Sequence, residues 1–405
     1  MTATAPRTKP IVHNWRDCKA WNDFGTPLST ASNESSKLFD AILTQYVGWY
    51  DEDTLGGLEG SIVKLVESDP TFVMGHVLKN GLDLMGTGRT VNNDEEFKKD
   101  INAMMELANK EKLTDRERKH VNAVHLFSQG DMTKACQVWE DILCEHPLDM
   151  LALKYAHDSY FYLGYQPQMR DSVARLSLWN ALFWFGGDKY GLDINPNDAW
   201  STHSMAHVLE MGGRQKEGID FLKGTENNWN ICGMLSCHNY WHYALCQIEV
   251  KNYEEAFGVF DTKVKEMSTT SGAMLDLVDA CSLLFRLEME GQNVKDRWDA
   301  IAEVCRPHMD DHILAFNDVH MLMSFLGKKD NELAEQFMTS LKNFVNNGKG
   351  DNQIICKEVG VALCEAFVLY DQGKFDEALE LLYPLRYKIL RIGGSNAQRD
   401  FAVVV

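Results

Sequence analysis

No stretch of about 18 consecutive apolar residues occurs in this chain, so nothing in it has the length and apolarity of a membrane-spanning helix. The amino-terminal sequence Met1-Thr-Ala-Thr-Ala-Pro-Arg-Thr-Lys-Pro also lacks the apolar run of a signal peptide. The ten cysteines include no Cys-x-x-Cys pair. Several fall inside helical patterns (Cys136, Cys246, Cys281, Cys364), which argues against a zinc knuckle or a disulfide framework and for reduced core thiols in a cytoplasmic protein. Positive charge is scarce: 40 Lys and Arg face 59 Asp and Glu, a formal net charge of -19. Nucleic acid and anionic membrane are therefore disfavoured partners, and basic ones are favoured. No apolar/polar alternation of strand length appears. The one glycine pair that resembles a phosphate loop, Gly393-Gly394-Ser395, follows a helical pattern and not a strand.

Helical periodicity fills the chain instead. A 405-residue sequence that is 45% hydrophobic can bury a core large enough for two compact domains or one elongated repeat array. The segment Ser128-Gln-Gly-Asp-Met-Thr-Lys-Ala-Cys-Gln-Val-Trp-Glu-Asp-Ile-Leu-Cys-Glu-His-Pro decides between them. Gly130 turns the chain between two helices, small Ala135 admits close approach, Trp139 and Ile142 fill the seam, and Pro147 opens the next helix. Those residue types at those offsets match the second half of a tetratricopeptide unit of about 34 residues. The same pattern returns around Ala256 and Phe260 and again around Ala378 and Leu382. The expected fold is all-α, a right-handed superhelical solenoid of degenerate tetratricopeptide helix-turn-helix repeats.

That pattern divides the chain. Residues 1–35 read as an irregular N-terminal arm, 36–175 as N-terminal repeats, 193–400 as C-terminal repeats and 401–405 as a tail. Between the two sets of repeats, 176–192 is an aberrant insert, aromatic (Trp179, Phe183, Trp184, Phe185), interrupted by glycine and too short for a helix pair. It is expected to pack poorly.

The chain resembles the tetratricopeptide repeat protein 38 family in several long segments. They include Arg16-Asp-Cys-Lys-Ala-Trp, Asp69-Pro-Thr-Phe-Val-Met-Gly-His, His157-Asp-Ser-Tyr-Phe-Tyr-Leu-Gly-Tyr, Cys237-His-Asn-Tyr-Trp-His and Arg391-Ile-Gly-Gly-Ser-Asn-Ala-Gln-Arg-Asp. Against that family it reads as a shortened variant, altered at 176–192 and truncated after 400. The resemblance implies a repeat fold and brings no catalytic residues with it.

Three helical stretches carry polar residues on one face. In the first, Trp200, His203, His207 and Glu210 stand three or four residues apart; in the second, His238 and His242 repeat the four-residue step; in the third, Asp276, Asp279 and Arg286 share a stripe. If the helices are neighbours, His203, His207, His238, Trp241, His242, Asp276, Asp279 and Arg286 line one ligand groove. Nearby carboxylates would then raise the pKa values of His238 and His242, with burial opposing them. Imidazoles one helical turn apart suit a metal ion. Because Trp200 marks the face of His203 and His207 as a helix-packing face, no metal ligand and no cofactor is assigned, and hydrogen-bonded structural histidines are preferred. Cys237 beside His238 does not make a nucleophile pair, since adjacent helical residues point about 100° apart.

The favoured function is a scaffold that binds a protein or peptide, basic in character, on the concave face of the array. The alternative is an enzyme or a metal-dependent hydrolase using the His/Asp/Arg cluster in the groove. Neither oligomeric state nor ligand identity is legible.

Overall fold

Apolar residues at helical spacing, bounded by Asp, Ser and Thr caps, form helices throughout the computed structural model, which describes residues 14–177, 192–193 and 195–399. Among the described residues there is no strand, and no helix is long and apolar enough to cross a membrane. The N-terminal arm is less irregular than its composition suggests. Asp17 caps a short helix α1 (Cys18–Asp23) by accepting from the amide of Ala20, and Ser32 caps α2 (Asn33–Gly48) in the same way. Arg16 ties the arm to α2 through Asp40 at 2.6 Å. Most of the 176–192 insert and the whole 401–405 tail lie outside the described residues.

The N-terminal half continues with α3 (Gly57–Ser68), α4 (Val73–Met85), α5 (Glu95–Lys110), α6 (Asp115–Ser128), α7 (Met132–Glu145), α8 (Met150–Leu163) and α9 (Gln166–Ser177). Consecutive helices pack on one another from α6 through α9, and α4 lies against α6 and α8. Their ends are set by local chemistry. Thr114 and Glu117 form a reciprocal capping box at α6, and Asp149 caps α8, two residues beyond the Pro147 that punctuates the sequence.

After the undescribed stretch come α10 (Ala199–Met211), α11 (Gln215–Gly224), α12 (Glu226–Trp229) and α13 (Gly233–Glu249). Next, α14 (Tyr253–Val259) runs through a π-helical turn at Phe260–Val264 into α15 (Lys265–Ser271). Then follow α16 (Met274–Met289), α17 (Arg297–Cys305), α18 (Ala315–Gly327) and α19 (Asn331–Asn347). A second π turn, Cys356–Gly360, joins α20 (Asp351–Ile355) to α21 (Val361–Asp371), and α22 (Phe375–Leu382) and α23 (Asn396–Arg399) close the sequence of helices. Helices α13, α16, α18 and α21 form a row, each touching the next, while α14, α17, α19 and α22 pack behind them.

One apolar core runs through both halves, from Trp21 to Ile392. Ala135, Trp139, Ile142, Ala256, Phe260, Ala378 and Leu382, the residues marked by the repeat pattern, are all buried in it. A small separate cluster, Ala199, Cys232 and Leu235, is walled by Trp49 and Trp200. The late part of the chain also returns to the early part. Asp351 donates its amide to the Gly130 carbonyl at 2.9 Å and accepts from the Thr133 amide at 2.7 Å, while Gly394 donates to the Phe161 carbonyl at 3.3 Å.

Candidate metal centre

Helix α10 starts where Asp198 accepts from the amides of Trp200 and Ser201, which fixes its rotation about its own axis. It packs on α13, and α13 packs on α16. The two histidine pairs therefore face each other across the helix-packing face that Trp200 marks in the sequence. Ring centroids lie 4.8 Å apart for His203 and His238, 5.2 Å for His203 and His242, and 4.4 Å for His207 and His242. One nitrogen from each of the four rings lies within 4.8 Å of the others.

Hydrogen bonds orient the α13 pair. His238 donates from Nδ1 to Asp279 Oδ2 at 2.8 Å, and His242 from Nδ1 to Glu210 Oε2 at 3.0 Å. Each imidazole then presents a bare Nε2 to the centre. The Nε2 atoms of His238 and His203 face one another at 3.1 Å, and Nε2 of His242 is buried with no hydrogen-bond partner among the described residues. Two lone pairs at that distance repel unless a proton or another cation lies between them. Ligand nitrogens at the zinc–imidazole distance on a tetrahedron are about 3.3 Å apart.

Aromatic walls hold the rings in place. Trp241 is fully buried and stacks on His238 at 5.1 Å and 13°, and Arg286 lies over its indole at 5.6 Å. On the other side Trp200 sets its ring against His203 at 5.6 Å. Trp200 itself meets Trp49 at 5.3 Å, and Lys154 Nζ lies 5.2 Å from both indoles.

Burial sets the protonation. It pushes His203 and His242 well below the ordinary imidazole range, with the charges of their neighbouring histidines adding to the effect, and it brings His207 down to about 4. The expected upward shift of His242 is thus reversed, because removal from water outweighs the carboxylate beside it. All three rings are neutral, as metal ligands must be. Asp276 is pushed up to about 6, first by burial and further by Asp279.

Not every expected residue joins the centre. Asp276 accepts from Ser271 Oγ at 2.8 Å and is paired with Cys237, whose thiol burial raises far above its usual value. That thiol is no nucleophile. Arg286 lies over Trp241, and its guanidinium donates to the Ala397 carbonyl at 2.5 Å. Tyr240, beside Trp241 in sequence, packs on Trp229 and donates to Glu226. Other polar residues on the helix rows have partners away from this centre. His312 bonds Asp318 and Ser340, His320 bonds the Phe316 carbonyl, and Asp158 holds Lys154 and Tyr46. Glu210 is the partner that spacing alone left without a role, although it shares the α10 face with both histidines.

Neither a family of known proteins nor a solved structure matches the chain.

Proposed function

We propose that this chain is a metal-binding protein in which His203, His207, His238 and His242 hold one divalent first-row transition ion. The observation that carries this reading is the pair of carboxylate–imidazole units, Asp279–His238 and Glu210–His242, each aiming a bare nitrogen at the same point. An all-imidazole set without thiolate suits zinc, cobalt, nickel or copper better than magnesium or calcium, and four nitrogens around one point suit zinc best. A hydrogen-bonded structural cluster explains the Asp279 and Glu210 contacts but leaves the buried His242 Nε2 without a partner.

The scaffold around the centre fits degenerate tetratricopeptide repeats, and with them the tetratricopeptide repeat protein 38 family. Supporting this are the buried seam residues at the repeat offsets and the turn at Gly130, where φ is +85°. A second reading, a scaffold for a basic amphipathic helix, is favoured by one surface. Phe375, Leu379, Tyr383 and Tyr387 expose an apolar stripe at helical spacing beside Asp376, Glu377 and Glu380.

Metal analysis of chelator-stripped protein titrated with zinc tests the first reading. One ion per chain is expected, and Asp279→Asn should weaken binding by about 10–100-fold while leaving the ligands in place. Equal zinc binding by wild type and a His238→Ala/His242→Ala double variant would refute it.

A further inference from the structure

Resting on the metal reading above, we propose that His207 is an exchangeable ligand and that the ion, held by His203, His238 and His242, accepts a small oxyanion in its place. The four imidazoles are not equivalent. His203, His238 and His242 contact one another pairwise, with ring centroids 4.7–5.2 Å apart. His207 touches His203 and His242, at 4.5 and 4.4 Å, and among the described residues it makes no ring contact with His238.

Support from the surroundings differs in the same way. His238 is fixed by Asp279 and the Trp241 stack, His242 by Glu210, and His203 by the ring of Trp200. His207 has no hydrogen bond among the described residues. It also lies closer than His203 to the carboxyl end of α10, where Val208 and Met211 are exposed. Moving it off the ion therefore breaks one coordinate bond and two ring contacts but no hydrogen bond, whereas His238 and His242 are each tied to a carboxylate and His203 is backed by Trp200.

Charge selects what replaces it. All the protein ligands are imidazoles, which coordinate without a negative charge of their own, and Asp279 and Glu210 bind the far nitrogens of His238 and His242. No ligand in direct contact with the ion carries a formal negative charge, so the exchangeable position favours an anion, with carboxylate or phosphate oxygen as the donor. Three protein ligands and one exchangeable position is the arrangement of catalytic zinc sites, whereas structural sites are closed by four.

Cobalt-loaded protein reports this directly, because the ion's visible absorption changes with coordination. Titrating the loaded wild type with acetate, and separately with inorganic phosphate, should give a saturable spectral change. His207→Ala and the bulkier His207→Gln should both retain cobalt within about tenfold of wild type, while His203→Ala and His242→Ala lose it. The proposal is overturned if both His207 variants lose cobalt as completely as the other two, or if the loaded wild type ignores both anions at saturating concentration. Failure of the wild type to take up cobalt at all refutes the metal reading itself, and this inference with it.

Discussion

At the residue scale, two histidines away from the centre make the stability of the protein depend on pH in opposite directions. Burial brings His320 down to about 4, and the nearby charge of Arg286 adds to the effect despite the bond to the Phe316 carbonyl. A folded-state value below the unfolded one means that its contribution is intact above about 6.5 and is lost as pH falls from there toward 4. The loss is about 3 kcal/mol over that window. Burial also lowers His312, but Asp318 together with Asp310 and Asp311 outweighs it and the net shift is upward. Its contribution is therefore complete below about 6.5 and is lost as pH rises through the folded value. Thermal unfolding of His320→Gln should lose the acid-side slope, and that of His312→Gln the slope on the alkaline side. Unchanged slopes in both variants would contradict the assignment. Much of the centre was legible at this scale, because four-residue steps put each histidine pair on one helix face whatever the fold. The Glu210–His242 bond and the Trp49–Trp200–Lys154 contact were not, since both depend on how α10 meets α13 and the N-terminal helices. The direction of the His242 shift also depended on tertiary burial, which spacing does not reveal.

Among the helices, α22 has the clearest two-sided character. Ala378 and Leu382 are buried against the preceding helix, whereas Phe375 and Leu379 are 60% and 53% exposed. The tetratricopeptide pattern identified the inner pair because the seam requires a small residue followed by a large one four positions later. The outer pair continues into Tyr383 and Tyr387, which are also exposed. An exposed stripe of this kind drives association. Wild-type protein should therefore sediment as a concentration-dependent mixture, and Phe375→Asp/Leu379→Asp should shift it toward a single species. Because neither side chain is in the core, stability should change by only about 0.5 kcal/mol. Sedimentation that is the same for both proteins would remove the apolar face from consideration. The arm shows the opposite limit of sequence reading. Helix α1 has only six residues, too few for periodicity to register, and Asp17 and Arg16 define it through contacts to the backbone and to α2.

Across the whole molecule, the feature least legible in the sequence is the return of the late helices onto the early ones. Repeat periodicity describes how each helix meets its neighbour and says nothing of contacts between positions more than 200 residues apart, such as Thr133 with Asp351. Two glycines make this contact possible. Gly350 has φ of +87°, and a Cβ built on it would lie 2.6 Å from the carbonyl oxygen of Gly130, an atom the neighbouring Asp351 amide needs at 2.9 Å. Gly350→Ala therefore combines a disfavoured left-handed backbone with a collision against main chain, and neither is relieved by a rotamer change. Because the contact lies between α6–α7 and the start of α20, the variant should separate the two without disturbing α10 and α13. Small-angle scattering should then report a larger radius of gyration, while zinc stoichiometry stays at one ion per chain. An unchanged radius would mean that the core shared by the two halves, and not this contact, holds them together. A joint loss of compactness and zinc would instead tie the centre to the closure of the whole molecule.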